Sequence, residues 1–332
     1  MTSRRRFFFS PANALLVPLL PNAASANPKL FPYSELEQRI ARKDFRGIGK
    51  DMLPTPCMIV DLDLFDKNLT TMADFAKSAP ILLRPHVKVH KSVDVAKRQI
   101  ARGAIGVTAA TIAEAELMFN NGIQGVLWTK QPASINNLQR AIALTKRDPS
   151  FLFVVDDFDV LVNVEEAAAA AKVKCRIVVS VFAGLTRQGI ANGKPALELA
   201  QKVHLSRHTV FEGYMAYSGG ASHTKGWEAR RKKSAEDLAG VQETVQLSKQ
   251  AGLPVKIVSG GSTGTYNMDH ELGLTELECG SYVFMDSLYR KVGGRTDDSV
   301  YSDFDTALSI LTTVDSKQHT GQATTDYGNK AM

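Results

Sequence analysis

ILLRPHVKVHK, residues 81–91, is the stretch on which the reading of the fold turns. An apolar run expected as a strand, 81–87, leads directly into a dense polar constellation, RPHVKVHK at 84–91. Side chains on a strand alternate faces, which would put His86, Lys88 and His90 on one face and Val87 and Val89 on the other. If the valines pack outward against helices, the polar trio enters the mouth of a barrel. A lysine in such a place is costly to keep as a cation, so its pKa should fall, which is what an amine needs to condense with a carbonyl. The plainer alternative is a solvated strand end with Lys88 and Lys91 as surface charges.

Outward from this stretch the chain alternates short β-branched runs with longer helical segments, the pattern of parallel βα units. With 81–87 counted first, the other candidate strands are 104–108, 125–128, 151–155, 175–181, 210–216, 255–259 and 281–285. Eight strands of this kind point to a (β/α)8 TIM-type barrel, an α/β fold of about 250 residues. A doubly wound open sheet is the alternative, but the first βα turn has no GxGxxG to anchor a dinucleotide. Upstream, a strand-like run at 57–62 is followed by Leu64, Phe65, Leu69, Met72 and Phe75 at helical spacing. Downstream, 306–314 and 321–326 read as two strands joined by the polar turn 315–320, the opening of a β-rich domain cut short at Met332. The expected organisation is an export signal at 1–26, a lead-in at 27–54, the barrel at 55–300 and the start of the β-rich domain at 301–332.

The chain of 332 residues is 44% hydrophobic and 22% charged, an ordinary globular composition. Arg4, Arg5 and Arg6 supply three of its six net positive charges, and no Lys/Arg cluster elsewhere argues for nucleic acid. Those arginines, the apolar residues 7–20 and the small residues Ala24, Ser25 and Ala26 have the three-part grammar of an export signal. SRRRFFF also resembles the twin-arginine pattern. A periplasmic or otherwise exported protein is expected, with a disordered basic tail on a cytoplasmic protein as the alternative. No later span is long enough for a membrane helix. Cys57, Cys175 and Cys279 are odd in number, far apart and set in apolar stretches, so buried thiols are expected.

A second chemical element is SGGSTGT, 259–265, directly after an apolar strand. Its glycines let backbone N–H groups approach an anion, and Ser262, Thr263 and Thr265 add hydroxyl donors. It lacks the Walker lysine, and a tight glycine turn without a ligand is the alternative. On this count it follows strand seven, while Gly280, Ser281 and Tyr282 open strand eight, and barrel phosphate sites gather in the loops after these two strands. AGLTRQG (183–189) offers Arg187 as a donor to a cofactor oxygen or ring nitrogen, and YSGGASHT (217–224) offers Tyr217, Ser218 and His223.

Taken together, TPCMIVDLD (55–63), RPHVKVHK, TIAEAE (111–116), SGGSTGT and ELECGSYVFMD (276–286) resemble the D-threonine aldolases and eukaryotic-type D-serine dehydratases, fold type III relatives of alanine racemase. The resemblance implies that Lys88, the first lysine of RPHxKxHK, carries pyridoxal 5′-phosphate. It implies that Ser259, Gly260, Gly261, Ser262 and Thr263, with the Gly280, Ser281 and Tyr282 turn, hold the phosphate; Arg187 and Tyr217, from their places after strands five and six, are expected as further cofactor contacts. A homodimer acting on a small D-amino acid follows from the same resemblance. So does a divalent metal, Mn2+ or Zn2+, held in relatives by a histidine paired with an acidic residue or cysteine in a C-terminal β domain. The chain stops before that region, so no metal ligands are assigned here. One departure is FAG at 182–184 in place of the family's DxG.

ELECGSYVFMD followed by Tyr289 looks closer to the aldolase branch. The expected reaction is therefore retro-aldol cleavage of D-threonine-like substrates to glycine and an aldehyde, with His86 or His223 accepting the β-hydroxyl proton. The alternatives are elimination to a keto acid and ammonia with Lys88 as base, racemisation, and a non-catalytic carrier of the cofactor.

Overall fold

A computed structural model of the chain describes residues 32–328, together with the backbone of two short strands, Arg5–Phe9 and Leu15–Leu19. The expected export cleavage site at Ala24, Ser25 and Ala26 lies outside the described residues. The chain forms two compact units, one of residues 69–282 and 287–303, the other of residues 1–68, 283–286 and 304–332.

The first unit is built on eight parallel strands: β1 (Leu82–Leu83), β2 (Thr108–Ala109), β3 (Leu127–Trp128), β4 (Leu152–Val155), β5 (Cys175–Ser180), β6 (Thr209–Ala216), β7 (Ile257–Gly260) and β8 (Glu276–Leu277). They are laddered in the order β1-β8-β7-β6-β5-β4-β3-β2. A parallel bridge between His86 and Thr108 joins the two ends, beside Ile105 N–H donating to Leu83 O at 2.9 Å. The sheet thus closes on itself as the (β/α)8 barrel expected from the alternation of strands and helices. Its early helices begin where the sequence offers a capping oxygen. Ser92 accepts from Val95 N–H ahead of Val93–Ala101, Thr111 from Glu114 N–H ahead of Ile112–Asn120, and Asp157 from Val160 N–H ahead of Phe158–Ala171.

Register decides what enters the barrel. Tyr214 on β6 reaches outward, its hydroxyl 2.5 Å from Ser248 Oγ on the helix Trp227–Gln250, so its neighbour Met215 points inward. Met215 joins Leu127, Leu152, Val154, Val178 and Ile257 in a buried apolar cluster. Ser180 and Ser259 pair with Met215 in register and share its inward face. Arg84 and Glu276 form a buried two-point ion pair across β1 and β8, at 2.8 and 3.0 Å.

Two strand expectations are corrected. Strand eight is Glu276–Leu277, not 281–285. Ser281–Val283 is a 3-10 turn and Met285 has φ of 54°. An acidic residue at the strand start disguised it, because the charge of Glu276 is neutralised only by Arg84 from far away in sequence. Likewise β1 ends early, and Val87–Val89 is a 3-10 turn rather than strand, so the even spacing of His86, Lys88 and His90 does not set a common face.

In the second unit Cys57–Asp61 pairs antiparallel with Leu308–Leu311 and with Arg5–Phe9. Leu36, Ile48, Leu53, Cys57 and Ile59 form its buried core. The strand expected over 306–314 is divided: Leu308–Leu311 joins that sheet, and Val314–Ser316 forms a separate pair with Thr324–Thr325. All three cysteines are free and buried. No helix among the described residues is long and apolar enough to cross a membrane.

Candidate active site

Lys88 sits in the turn after β1. Fully buried Val87 anchors this turn, and His86 caps it, its Nδ1 accepting Lys88 N–H at 3.3 Å. The Lys88 side chain is accessible, with Nζ 5.1 Å from the centre of the Tyr217 ring. Desolvation lowers its pKa from the ordinary lysine value and the charge of Arg187 adds to this, while Glu278 and Glu114 oppose it. Lys91, three residues on, is held differently. Its Nζ donates to Glu114 Oε1, and Glu114 Oε2 accepts Ala110 N–H at 2.8 Å. The TIAEAE stretch therefore neutralises Lys91, whereas no described carboxylate lies within ion-pair distance of Lys88.

Around Lys88 the polar groups crowd. Arg187, on the loop after β5, places Cζ 5.9 Å from the centre of the same Tyr217 ring, whose phenol is pushed up in pKa by burial. His86 is buried and held well below the ordinary histidine pKa, first by desolvation and then by Lys88, His90 and Arg187. It is therefore neutral, and since its Nδ1 accepts a hydrogen bond the ring proton lies on Nε2. In that state Nε2–H is a hydrogen-bond donor. His90, similarly desolvated, is pushed down to about 4.

Glu278 was not singled out in sequence. It is buried just after β8, accepts Ser259 Oγ at 2.7 Å, and is raised to about 7, chiefly by desolvation, with Lys88 among the charges acting on it. A glutamate inside an apolar strand end was the available signal. Ser180 was also missed. It is fully buried on the inward face at the end of β5, and its Oγ has no hydrogen-bond partner.

The glycine-rich loop follows β7, and residues 259–265 are buried throughout. Gly261 takes φ of 76°, and a Cβ at Gly260 would lie 2.2 Å from Ala216 O, so side chains are excluded there. Ser262 Oγ and Thr265 Oγ1 are 2.9 Å apart. Among the hydrogen bonds of the described residues none is donated by the N–H groups of Ser262, Thr263 or Gly264. Consecutive buried donors without a protein acceptor form a cup for an anion. Because β8 ends at Leu277, the Gly280, Ser281 and Tyr282 turn follows that strand instead of opening it, and Tyr282 N–H donates to Thr263 Oγ1 at 3.0 Å. The Tyr282 phenol turns away to accept Gln99 Nε2 at 3.0 Å. A Cβ on Gly280 would stand 2.8 Å from His86 O, so this turn touches the Lys88 segment on one side and the cup on the other.

His223 lies at the cup's edge. Its ring stacks on Tyr289 at 4.6 Å, Tyr289 OH is 2.7 Å from Ser222 Oγ, and Tyr289 packs where a Cβ of Gly264 would be, at 3.2 Å. No hydrogen bond or ring contact joins His223 to Lys88 or Tyr217 among the described residues.

Residues 60–288 match the family model described as alanine racemase, N-terminal domain. The chain is 35% identical to a 3-hydroxy-D-aspartate aldolase of Paracoccus denitrificans (strain Pd 1222), over 86% of this chain and 75% of that protein. It is 32% identical to a D-threo-3-hydroxyaspartate dehydratase of Delftia sp. (strain HT23), over 84% of this chain and 73% of the relative. The crystal structure of D-threonine aldolase from Filomicrobium marinum superposes with a TM-score of 0.79 at 33% identity, covering 84% of this chain and 74% of that one.

Proposed function

The chain belongs to the alanine racemase N-terminal domain family, and from that premise we propose that it is a pyridoxal 5′-phosphate lyase cleaving β-hydroxy-D-amino acids to glycine and an aldehyde. The family implies the cofactor, and the residues fit it. An accessible lysine without a counter-ion, a polar barrel mouth and a glycine-lined cup with uncommitted N–H donors are the groups an aromatic aldehyde phosphate would need. The reading assigns Lys88 as the attachment point. Ser259, Gly260, Gly261, Ser262 and Thr263, with Gly280, Ser281 and the backbone of Tyr282, form the phosphate site, and Arg187 and Tyr217 flank the ring. No group of three or more His, Cys, Asp or Glu side chains that could hold a metal ion occurs among the described residues, and no step is routed through a metal.

The bound cofactor supplies an electron sink for the pair released when a bond at the substrate α-carbon breaks. The protein's residues do the rest. Lys88, its amine partly desolvated and its pKa lowered, gives up its proton more readily than an ordinary lysine and can serve as nucleophile and base. Glu278, near 7, can hold or release a proton beside it. Neutral His86, two residues before Lys88, offers an N–H donor. His223, stacked on Tyr289 at the cup's edge, is the base this reading assigns to the β-hydroxyl proton.

One observation carries this reading: the 280–282 turn abuts both the Lys88 segment and the cup, so attachment point and anion site share one end of the barrel. The test is incubation with D-threonine and, separately, 3-hydroxy-D-aspartate. Glycine with the corresponding aldehyde is expected, and a keto acid with ammonia would instead establish the elimination that the dehydratase relative's name describes. We further propose that residues 1–26 direct export and that the protein is a homodimer. Fractionation of cells expressing the native chain and a form with Arg4, Arg5 and Arg6 changed to Gln tests the first, and the solution mass tests the second.

A further inference from the structure

Arg230 lies behind the cup with no solvent exposure at all. Its hydrogen bonds all end on backbone carbonyls. Nε donates to Gly264 O at 2.8 Å, Nη1 to Thr224 O at 3.0 Å and Val292 O at 2.9 Å, and Nη2 to Gly293 O at 2.7 Å. The rings of Trp227 and Tyr301 lie 5.8 and 5.7 Å away, and no described carboxylate is within ion-pair distance. Burial lowers the pKa of this guanidinium, while Tyr301, Asp303 and Asp298 act to raise it. A buried charge held without a counter-ion is expensive, and a fold that keeps one gains when an anion arrives nearby.

The cup has no cation of its own, for residues 259–265 and 280–282 contain neither lysine nor arginine. It does have an acid. Asp269 is buried, accepts from Ser234 Oγ and Thr265 Oγ1, and would lie 3.4 Å from a Cβ on Gly261. Burial raises its pKa to about 6, so near neutrality it puts negative charge beside a site meant for a phosphate. On the back of the loop Tyr301 OH donates to Thr263 O at 2.5 Å and Arg230 to Gly264 O. With both carbonyls held there, planarity of the trans peptide turns Gly264 N–H to the opposite side.

We propose that Arg230 is the positioning residue that makes the cup selective for a phosphate monoester, orienting its peptides from behind and supplying the positive potential that outweighs Asp269. This rests on the reading that the cup holds the phosphate of pyridoxal 5′-phosphate. Affinities for pyridoxal 5′-phosphate and for unphosphorylated pyridoxal, measured by absorbance titration of the purified apoprotein, separate the two claims. The native protein should prefer the phosphorylated form. No preference would mean that the phosphate reading itself fails. Arg230→Gln should reduce the preference about tenfold, equivalent to about 1.4 kcal/mol, with pyridoxal affinity nearly unchanged. Arg230→Lys, which keeps the charge but loses the planar fork that holds the four carbonyls, should retain only part of it, between the native protein and Arg230→Gln. If Arg230→Gln lowers both affinities in parallel, Arg230 only braces the loops and the proposal is overturned. Should Arg230→Gln fail to fold, Asp298→Asn serves with the arginine in place. Asp298 caps Trp227 N–H at 3.0 Å through an oxygen that asparagine retains, and removing its charge should raise the preference about twofold. An unchanged or reduced preference in that variant counts against the proposal.

Discussion

Lys88 and Lys91 differ in chemistry because of what faces each. Lys91 Nζ donates to Glu114, while Lys88 meets an aromatic ring and a desolvating mouth. Lys88→Ala should abolish the visible absorbance of the reconstituted protein and its turnover, whereas Lys91→Ala should keep the absorbance. Capture of the cofactor by the native protein should rise with pH, with an apparent midpoint below that of an ordinary lysine, readable as the capture rate against pH. Glu278 makes a stability prediction. Its carboxyl titrates near 4.5 unfolded and about 7 folded, so the native apoprotein binds the extra proton between those values. The stabilisation is complete below about 4.5 and is lost as pH rises through about 7, at most about 3 kcal/mol. Glu278→Gln, which can still accept from Ser259, should remove this fall. Chemical denaturation at pH 5 and pH 8 would show it, and an unaltered difference between the two would refute the assignment. His90, near 4, works in the opposite sense, its stabilisation being lost as pH falls from about 6.5 to about 4.

At the scale of elements, Arg84 and Glu276 tie β1 to its neighbour β8. Arg84→Met would leave a buried carboxylate without its partner and should cost about 3–5 kcal/mol, measured as a fall in the denaturation midpoint. The glycine-rich loop is sensitive for another reason. At Gly264 a Cβ would stand 2.2 Å from Ser222 O, a backbone atom that cannot swing aside. Gly264→Ala should therefore lose about 1–3 kcal/mol and weaken phosphate-dependent cofactor affinity together. Most of these elements were legible in sequence, because β-branched runs and capping residues such as Ser92, Thr111 and Asp157 act locally. Strand eight was not, since an isolated glutamate argues against a buried strand until its arginine, 192 residues away, is brought beside it.

For the molecule as a whole, the sequence alone determined the alternation that makes a parallel barrel, the lysine able to act as nucleophile and the glycine-rich loop able to receive an anion. Each of these is written in residue type and short spacing, through periodicity, the flexibility of glycine and the chemistry of an amine. Tertiary structure decided the rest. It ended β1 before His86, so that a 3-10 turn presents Lys88, and it brought Glu278 within electrostatic reach of that lysine. It moved the 280–282 turn to follow β8 and set Arg230 behind the cup. Desolvation, counter-ion distance and hydrogen-bond partners belong to neighbours supplied by remote parts of the chain, and no local pattern of residues specifies them.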